Sequence, residues 1–332
     1  MSLPSVSAVI VTYNRRDRLA ETVAAVARDA YATEIVVVVD GSYDGSYELL
    51  SELAAADPRI RPVWQDNAGD AAARQAGVEH ATGEVVLILD DDVLAGPGLA
   101  EKHARVHAGT PSAVVLGYMP VRRSPARRPG GFASHLYADE YEAQCRRYEA
   151  DRSTILRSLW TGNVSLRRSD ALRIGFRTDG RRLGYHSDQA FGLRCLRAGL
   201  VGVFDRTLRA EHLHERDLDA FVRQSRLRGQ DRRALEELFG DLISPGELDD
   251  PLSPAVRAAV ALAAARGMRR MTVPALLWSV RNAGRARLWR LESASARCLR
   301  QIELHRGYRE YRAEPPEARP AGVAEYASTG YR

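Results

Sequence analysis

The stretch Glu84–Asp92, EVVLILDDD, is an aliphatic and β-branched run that stops abruptly at three carboxylates. Near-continuous apolarity of this length fits a strand covered on both faces that delivers Asp90, Asp91 and Asp92 to its C-terminal end. In an open parallel sheet, that end is where ligands bind. Neighbouring carboxylates repel one another, so a cation that neutralises them is one reason to keep three together; an acidic turn fully in water is the other.

Outward from this strand, the preceding residues alternate between two periodicities. Ser5–Thr12 and Glu34–Asp40 (EIVVVVD) read as buried strands, and Ile60–Gln65 as a short third one. Helices are expected from the turn at Tyr13–Arg16 to about Ala30, over Tyr47–Ala56 and over Ala71–His80. The order βαβαβαβ predicts an α/β fold with a doubly wound, mostly parallel sheet and right-handed crossovers. A length of 332 residues with 45% hydrophobic and 27% charged residues is ordinary globular composition. The cysteines Cys145, Cys195 and Cys298 are too scattered for a zinc site or a disulfide framework, so a reducing, cytoplasmic compartment is expected. No apolar run approaches the roughly 20 residues that span a bilayer.

Doubly wound sheets commonly hold nucleotides, yet two usual devices are missing. Lys102 is the only lysine, so no GxxxxGK[ST] exists, and no GxGxxG follows the first strand. ATPase and dinucleotide dehydrogenase chemistry are thereby set aside. What remains is a pair of acidic strand ends, Asp40 with Asp44 and then Asp90–Asp92, which can meet a diphosphate if a divalent cation bridges them.

SAVIVTYNRRDRL, VVVVDGSYDGS, DNAGDAAARQAG and LILDDDVLAGPGL, followed by TGNVSLRRSD and GYHSDQAFGLRCLRAG, resemble in order and spacing family 2 of the inverting nucleotide-sugar glycosyltransferases, of GT-A fold. The likeness covers Val6 to about Gly229 and implies a catalytic domain over residues 1–240, with a Rossmann-like nucleotide half and an acceptor half. It implies that Thr12, Tyr13, Asn14, Arg15, Asn67 and Gly69 line the donor, that Asp40 accepts a hydrogen bond from the base, and that Arg74 pairs with base or phosphate. An imide N–H suits such an acceptor, which favours UDP or dTDP. Asp90 and Asp92 match the family's DxD, and their i, i+2 spacing places both on one side of an extended segment. Asp90 and Asp91 are expected at the donor, and Asp92 as a ligand of Mn²⁺ or Mg²⁺, with His212 as a further ligand.

Asp188 is the general base the resemblance implies, set at a helix start whose dipole favours an ionised carboxylate; an N-cap is the alternative role for Ser187 or Asp188. Trp160, Gly162 and Asn163 are expected under the sugar and acceptor, and Gln224, Arg226 or Arg228 near phosphate. The expected reaction is inverting, metal-dependent hexosyl transfer from a nucleoside-diphosphate sugar to a hydroxyl on a carbohydrate, lipid-linked or small-molecule acceptor. Two positions depart from the family: Val39 and Ser187 stand where acids are common. They keep open a second reading, a catalytically silent GT-A domain that binds nucleotide-sugar or glycan.

Arg122–Gly131 (RRSPARRPGG) reads as a mobile loop, and Ala133–Leu159 as a polar helical stretch where acceptor specificity is built. Beyond Gly240, residues 241–254 read as a linker, 255–312 as a basic helical extension and 313–332 as a disordered tail. The net charge of +5 is concentrated there, with thirteen arginines against three glutamates between Arg257 and Arg312. Helices are expected over Ala255–Arg266 and Pro274–Tyr311. Apolar residues among the arginines, such as Leu277, Val280, Leu288 and Ile302, leave two expectations. One is peripheral contact with an anionic membrane at its cytoplasmic face; the other is packing on the catalytic domain or on a second copy of the chain as a homodimer. Nucleic acid is not an expected partner, because no aromatic platform is interleaved with the basic residues.

Overall fold

The computed structural model describes residues 2–122, 127–177, 183–243 and 253–311. The first half alternates as the hydrophobic pattern predicts. β1 (Val6–Thr12), α1 (Arg16–Ala27), β2 (Ala32–Asp40), α2 (Ser46–Ala56), β3 (Ile60–Gln65), α3 (Asp70–His80) and β4 (Val85–Asp90) follow in turn. α1 ends three residues before the expected Ala30. Then come β5 (Val93–Ala95), α4 (Leu99–Gly109), β6 (Ala113–Tyr118), α5 (Phe132–Ala150), α6 (Thr154–Arg157), β7 (Asn163–Arg167) and α7 (Arg168–Ile174). α8 (Ser187–Arg197), β8 (Val201–His212) and α9 (Leu218–Leu238) complete this part of the chain.

The strands form one mixed sheet in the order β3-β2-β1-β4-β7-β6-β8-β5. β3, β2, β1 and β4 are mutually parallel, whereas β7 runs antiparallel between β4 and β6, and β8 is parallel to β6. Chain direction out of β1 and β4 therefore diverges to opposite sides, which opens a crevice at their C-terminal ends. One apolar layer packs side chains of α1, α4 and α5 on one sheet face, and a second packs α3, α6, α7 and α8 on the other. Burial on both faces is the physical reason β1, β2 and β4 are uniformly aliphatic.

The basic extension consists of α10 (Pro254–Ala264), α11 (Arg266–Arg285) and α12 (Trp289–Glu310). Two boundaries differ from expectation: Pro274 lies inside α11 rather than at a helix start, and the long helix is broken before Trp289, where Arg287 adopts φ 58°. α12 lies against α9 at a crossing of two glycines. A Cβ on Gly229 would come within 2.0 Å of the Leu304 carbonyl oxygen, and one on Gly307 within 1.9 Å of that of Arg226. Val280 and Ala296 join Phe132, Leu136 and Phe221 in a small apolar cluster that ties α11 and α12 to α5 and α9. Most of the 241–254 linker, part of the Arg122–Gly131 loop, Arg312 and the 313–332 tail lie outside the described residues. No described helix is long and apolar enough to cross a membrane.

Candidate active site

Asp90 ends β4 beside Val11 of β1, at the crevice. Three residues on, β5 pairs antiparallel with the end of β8 so that Val93 faces His212, and the Leu213 N–H donates to the Asp92 carbonyl at 2.8 Å. This register brings the His212 imidazole to the acidic strand end, with Nε2 3.2 Å from Asp92 Oδ1. Both side chains are buried. Burial alone would raise the Asp92 carboxyl, but His212, with Arg15 and His214 nearby, holds it down at about 2, so it stays ionised.

The close approach of His212 to Asp92 is not an aligned hydrogen bond, and Asp92 Oδ1 and His212 Nδ1 are both buried without a hydrogen-bond partner. A buried oxygen left in this state is a natural ligand. One carboxylate and one imidazole suit Mn²⁺, whose remaining positions a diphosphate and water would fill. No group of three or more His, Cys, Asp or Glu able to hold a metal occurs among the described residues.

Arg74 stands behind these groups and is the electrostatic hub of the site. Its guanidinium pairs with Asp70 at 3.2 Å, with Asp90 at 3.0 Å and with Asp188 at 2.6 Å while being almost wholly buried. A cation at that depth requires counter-charges, and three elements supply them. Arg74 was expected to reach the donor's base or phosphate; its charge is instead spent on carboxylates. The other oxygen of Asp188 accepts the Thr161 N–H at 3.0 Å. Asp188 is the second residue of α8, whose cap position is His186 without a side-chain cap bond, so Asp188 faces the site rather than capping the helix. Burial, with Asp92, Asp188 and Asp70 close by, lifts the Asp90 carboxyl to about 7 even against Arg74.

Several residues expected to touch the donor are turned into the protein. Asp40 is fully buried: its carboxylate accepts from Gln65 Nε2 and from the N–H groups of Ala68 and Gly69, and so shapes the loop after β3. Asn67 ties the same loop to the Asp40 carbonyl, and Gly69 takes φ 88° there. Thr12 is buried and donates its hydroxyl to Asp91 at 2.8 Å, an alternation that sends Asp91 to the opposite side from Asp90 and Asp92. Asn14 links the loops after β1 and β2, receiving the Tyr43 N–H and giving its own N–H to Ser42. Arg15 lies close enough to Asp91 and Asp92 to favour their ionised forms. Tyr13, between Thr12 and Asn14, is half-buried. Asn163, expected under the acceptor, is buried between His103 and the Leu208 carbonyl. Gly162, expected at the same place, takes φ 94°, and a Cβ there would sit 2.7 Å from Asp90 Oδ2. Val39 is in the apolar core, and Ser187 bonds Asp70, so neither departure from the family leaves a gap.

Asp90, Asp92, Asp188, Trp160 and His212 line one cavity of about 340 Å³. Tyr137, from the stretch expected to build acceptor specificity, lines it too, as do Tyr185, His186 and Arg216, which the sequence did not single out. Tyr137 stacks on His214 with ring centroids 4.2 Å apart and meets Trp160 at 5.3 Å, forming an aromatic wall. His214 has no partner on either ring nitrogen, and burial, with Arg216 and His212 near, keeps it neutral. The HLHER run was a usable signal for Arg216, since it follows the histidine pair directly; nothing local marked Tyr137 within α5.

The mixed sheet with its switch-point crevice at the ends of β1 and β4 is that of a GT-A glycosyltransferase. The chain belongs to glycosyl transferase family 2, whose family model matches residues 7–174; Asp188 and His212 lie beyond that match. Among curated proteins, a glucosyl-dolichyl phosphate glucuronosyltransferase of Haloferax volcanii is 28% identical over 74% of this chain and 80% of its own length. An undecaprenyl-phosphate 4-deoxy-4-formamido-L-arabinose transferase of Pseudomonas fluorescens is 42% identical, over 26% of this chain and 28% of that protein. Among solved structures, the mannosyltransferase PcManGT from Pyrobaculum calidifontis, in complex with GDP-Man and Mn²⁺, superposes with a TM-score of 0.57 at 20% identity, covering 90% of this chain and 86% of that one. GalNAc-T7 with UDP, GalNAc and Mn²⁺ gives a TM-score of 0.50 at 17% identity over 64% of this chain and 44% of that chain.

Proposed function

We propose that this glycosyl transferase moves a sugar from a nucleoside-diphosphate donor to an acceptor hydroxyl with inversion, using Asp188 as general base and a divalent cation at Asp92 and His212. The observation that carries the reading is that these three side chains open onto one cavity. When bound, the cation neutralises the charge that develops on the leaving diphosphate. Asp90, on the same side as Asp92, would hold a hydroxyl of the donor. Arg74 and the Thr161 N–H fix the Asp188 carboxylate, and each oxygen keeps a further lone pair for the incoming hydroxyl. That hydroxyl gives its proton to Asp188 as its oxygen bonds the anomeric carbon, while the bond from that carbon to the diphosphate oxygen breaks on the opposite face.

The acceptor in this reading is a lipid-linked molecule bearing phosphate. Two relatives are named for lipid-phosphate substrates. Arg216, which feels the charge of Asp92 and Glu140, and Arg147, whose side chain bonds Gln144, both line the cavity and offer charge to an anion. The test is a thermal-shift panel of UDP, GDP, dTDP and CDP with and without Mn²⁺. One nucleotide should stabilise the wild type only with Mn²⁺, and Asp92→Ala or His212→Ala should abolish the shift. Asp188→Asn should keep it while losing on the order of 10²–10⁴-fold in transfer. Failure of every nucleotide to bind, or binding undiminished in Asp92→Ala, would sink the proposal.

A further inference from the structure

Most of the large apolar side chains that stand in solvent among the described residues fall between residues 256 and 291, on α10, α11 and the start of α12. On α11, Met268, Met271, Ala275 and Trp278 recur at helical spacing along one side, with Met271 74% and Trp278 68% exposed. The opposite side of the same helix presents Val280 and Ala283, which are buried. α11 therefore has two apolar faces, one packed on the catalytic part and one bare. Leu262 extends the bare surface on α10, which buries no residue at all, and Leu288 and Leu291 extend it past the break before α12.

Exposed arginines accompany this surface: Arg270, Arg281 and Arg285 on α11, then Arg287 and Arg290. Arg281 approaches Asp219 at 3.5 Å; Arg270, Arg285, Arg287 and Arg290 have no carboxylate partner among the described residues. Exposed apolar side chains gathered on neighbouring helices mark an interaction site. Its charge selects the occupant. A second copy docked face to face would bring the two arginine sets together, at a cost in repulsion, whereas an anionic lipid surface satisfies both components at once.

We infer that α10, α11 and the start of α12 form a docking face for an anionic lipid bilayer, with Met271 and Trp278 inserted at the headgroup level and the arginines on lipid phosphates. The extension also reaches the cleft: Arg300 of α12 lines a small cavity with Tyr137, Tyr185, Arg216 and Arg228, four residues that line the main cavity as well. The docking face and the acceptor side of the site are thus joined through α12. This use of the face builds on the lipid-linked acceptor proposed above, but vesicle binding can be measured without it.

The experiment is flotation of the full chain with vesicles of phosphatidylglycerol plus phosphatidylcholine, against phosphatidylcholine alone. The wild type should partition at least ~10-fold more onto the anionic vesicles, with binding weakened by salt. Met271→Glu with Trp278→Glu should reduce partitioning by ~10-fold or more while leaving the melting temperature and any nucleotide-induced shift unchanged. Arg285→Gln with Arg287→Gln should lower binding to anionic vesicles alone. Equal binding to both vesicle types, persistence in the double glutamate variant, or absence of binding overturns the inference. So does a wild-type dimer that the glutamate variant converts to monomer without any vesicle binding, which would make the face a self-association surface. The nucleotide panel on the same preparation separates these failures from failure of the transferase reading.

Discussion

Arg74→Met tests the hub of the site, because it keeps the approximate volume and removes one charge that serves three carboxylates. Each pair, at about 4 Å and an effective dielectric of about 20, is worth roughly 4 kcal/mol of Coulomb energy before desolvation. The gross attraction is thus on the order of 12 kcal/mol, most of it spent in burying the guanidinium. Removing one member of a buried ionic network leaves the rest uncompensated and costs about 3–5 kcal/mol. For a chain of this size that corresponds to a fall in melting temperature on the order of 10 °C. The pH dependence has a definite sign. Burial already raises the Asp70 carboxyl while Arg74 pulls it down, so without Arg74 it rises further. A carboxyl raised above its unfolded value destabilises the fold at high pH and ceases to do so as both states protonate. The deficit of Arg74→Met against wild type, followed by thermal denaturation, should therefore be larger at pH 8 than near pH 5. A melting temperature within about 2 °C of wild type, or a deficit that grows toward acid, would refute the network as described.

Three further outcomes are expected. Gly229→Val forces a side chain into the Leu304 carbonyl, and overpacking of this kind costs about 1–3 kcal/mol; limited proteolysis should then release the α10–α12 extension faster than in wild type, with nucleotide binding kept. His103 and His186 are held neutral by burial, their pKa lowered to about 3. In the window between that value and about 6.5 the unfolded chain binds more protons than the folded one, so stability should fall as pH is lowered through it, by on the order of 1 kcal/mol per pH unit for each histidine; His103→Asn should flatten the slope. Gly162→Ala combines a positive φ with a contact on Asp90, and should lower transfer activity at a stability loss of roughly 1–3 kcal/mol, measured by denaturant unfolding beside turnover.

The strand–helix alternation through β4 was legible because burial on both sheet faces demands uninterrupted aliphatic runs, and these stand out in EIVVVVD and EVVLILD. The i, i+2 relation of Asp90 and Asp92 was legible for the same reason, since pleating alone puts them on one side. Asp40 was less legible, because a carboxylate looks the same in sequence whether it faces a base or the N–H groups of its own neighbouring loop, from which it accepts here. Asn163 was less legible likewise: the adjacent Gly162 does border the site, but strand alternation turns the asparagine toward His103. In the extension, the amphipathic pattern was readable, but not which apolar side would meet α5 and α9 and which would stay bare.

By itself, the sequence determined the sheet, its acidic strand end and the family to which the chain belongs, all of which rest on short-range periodicity and on motifs whose residues are neighbours. Only the tertiary structure decided what stands around those acids. His212 reaches Asp92 through the β5–β8 register, and Arg74 binds Asp90 and Asp188 because α3, β4 and α8 converge at one crevice. Such partners are chosen by where distant segments meet. Buried charges must find counter-charges there, a requirement that acts on the folded chain and leaves no mark on the spacing of its residues.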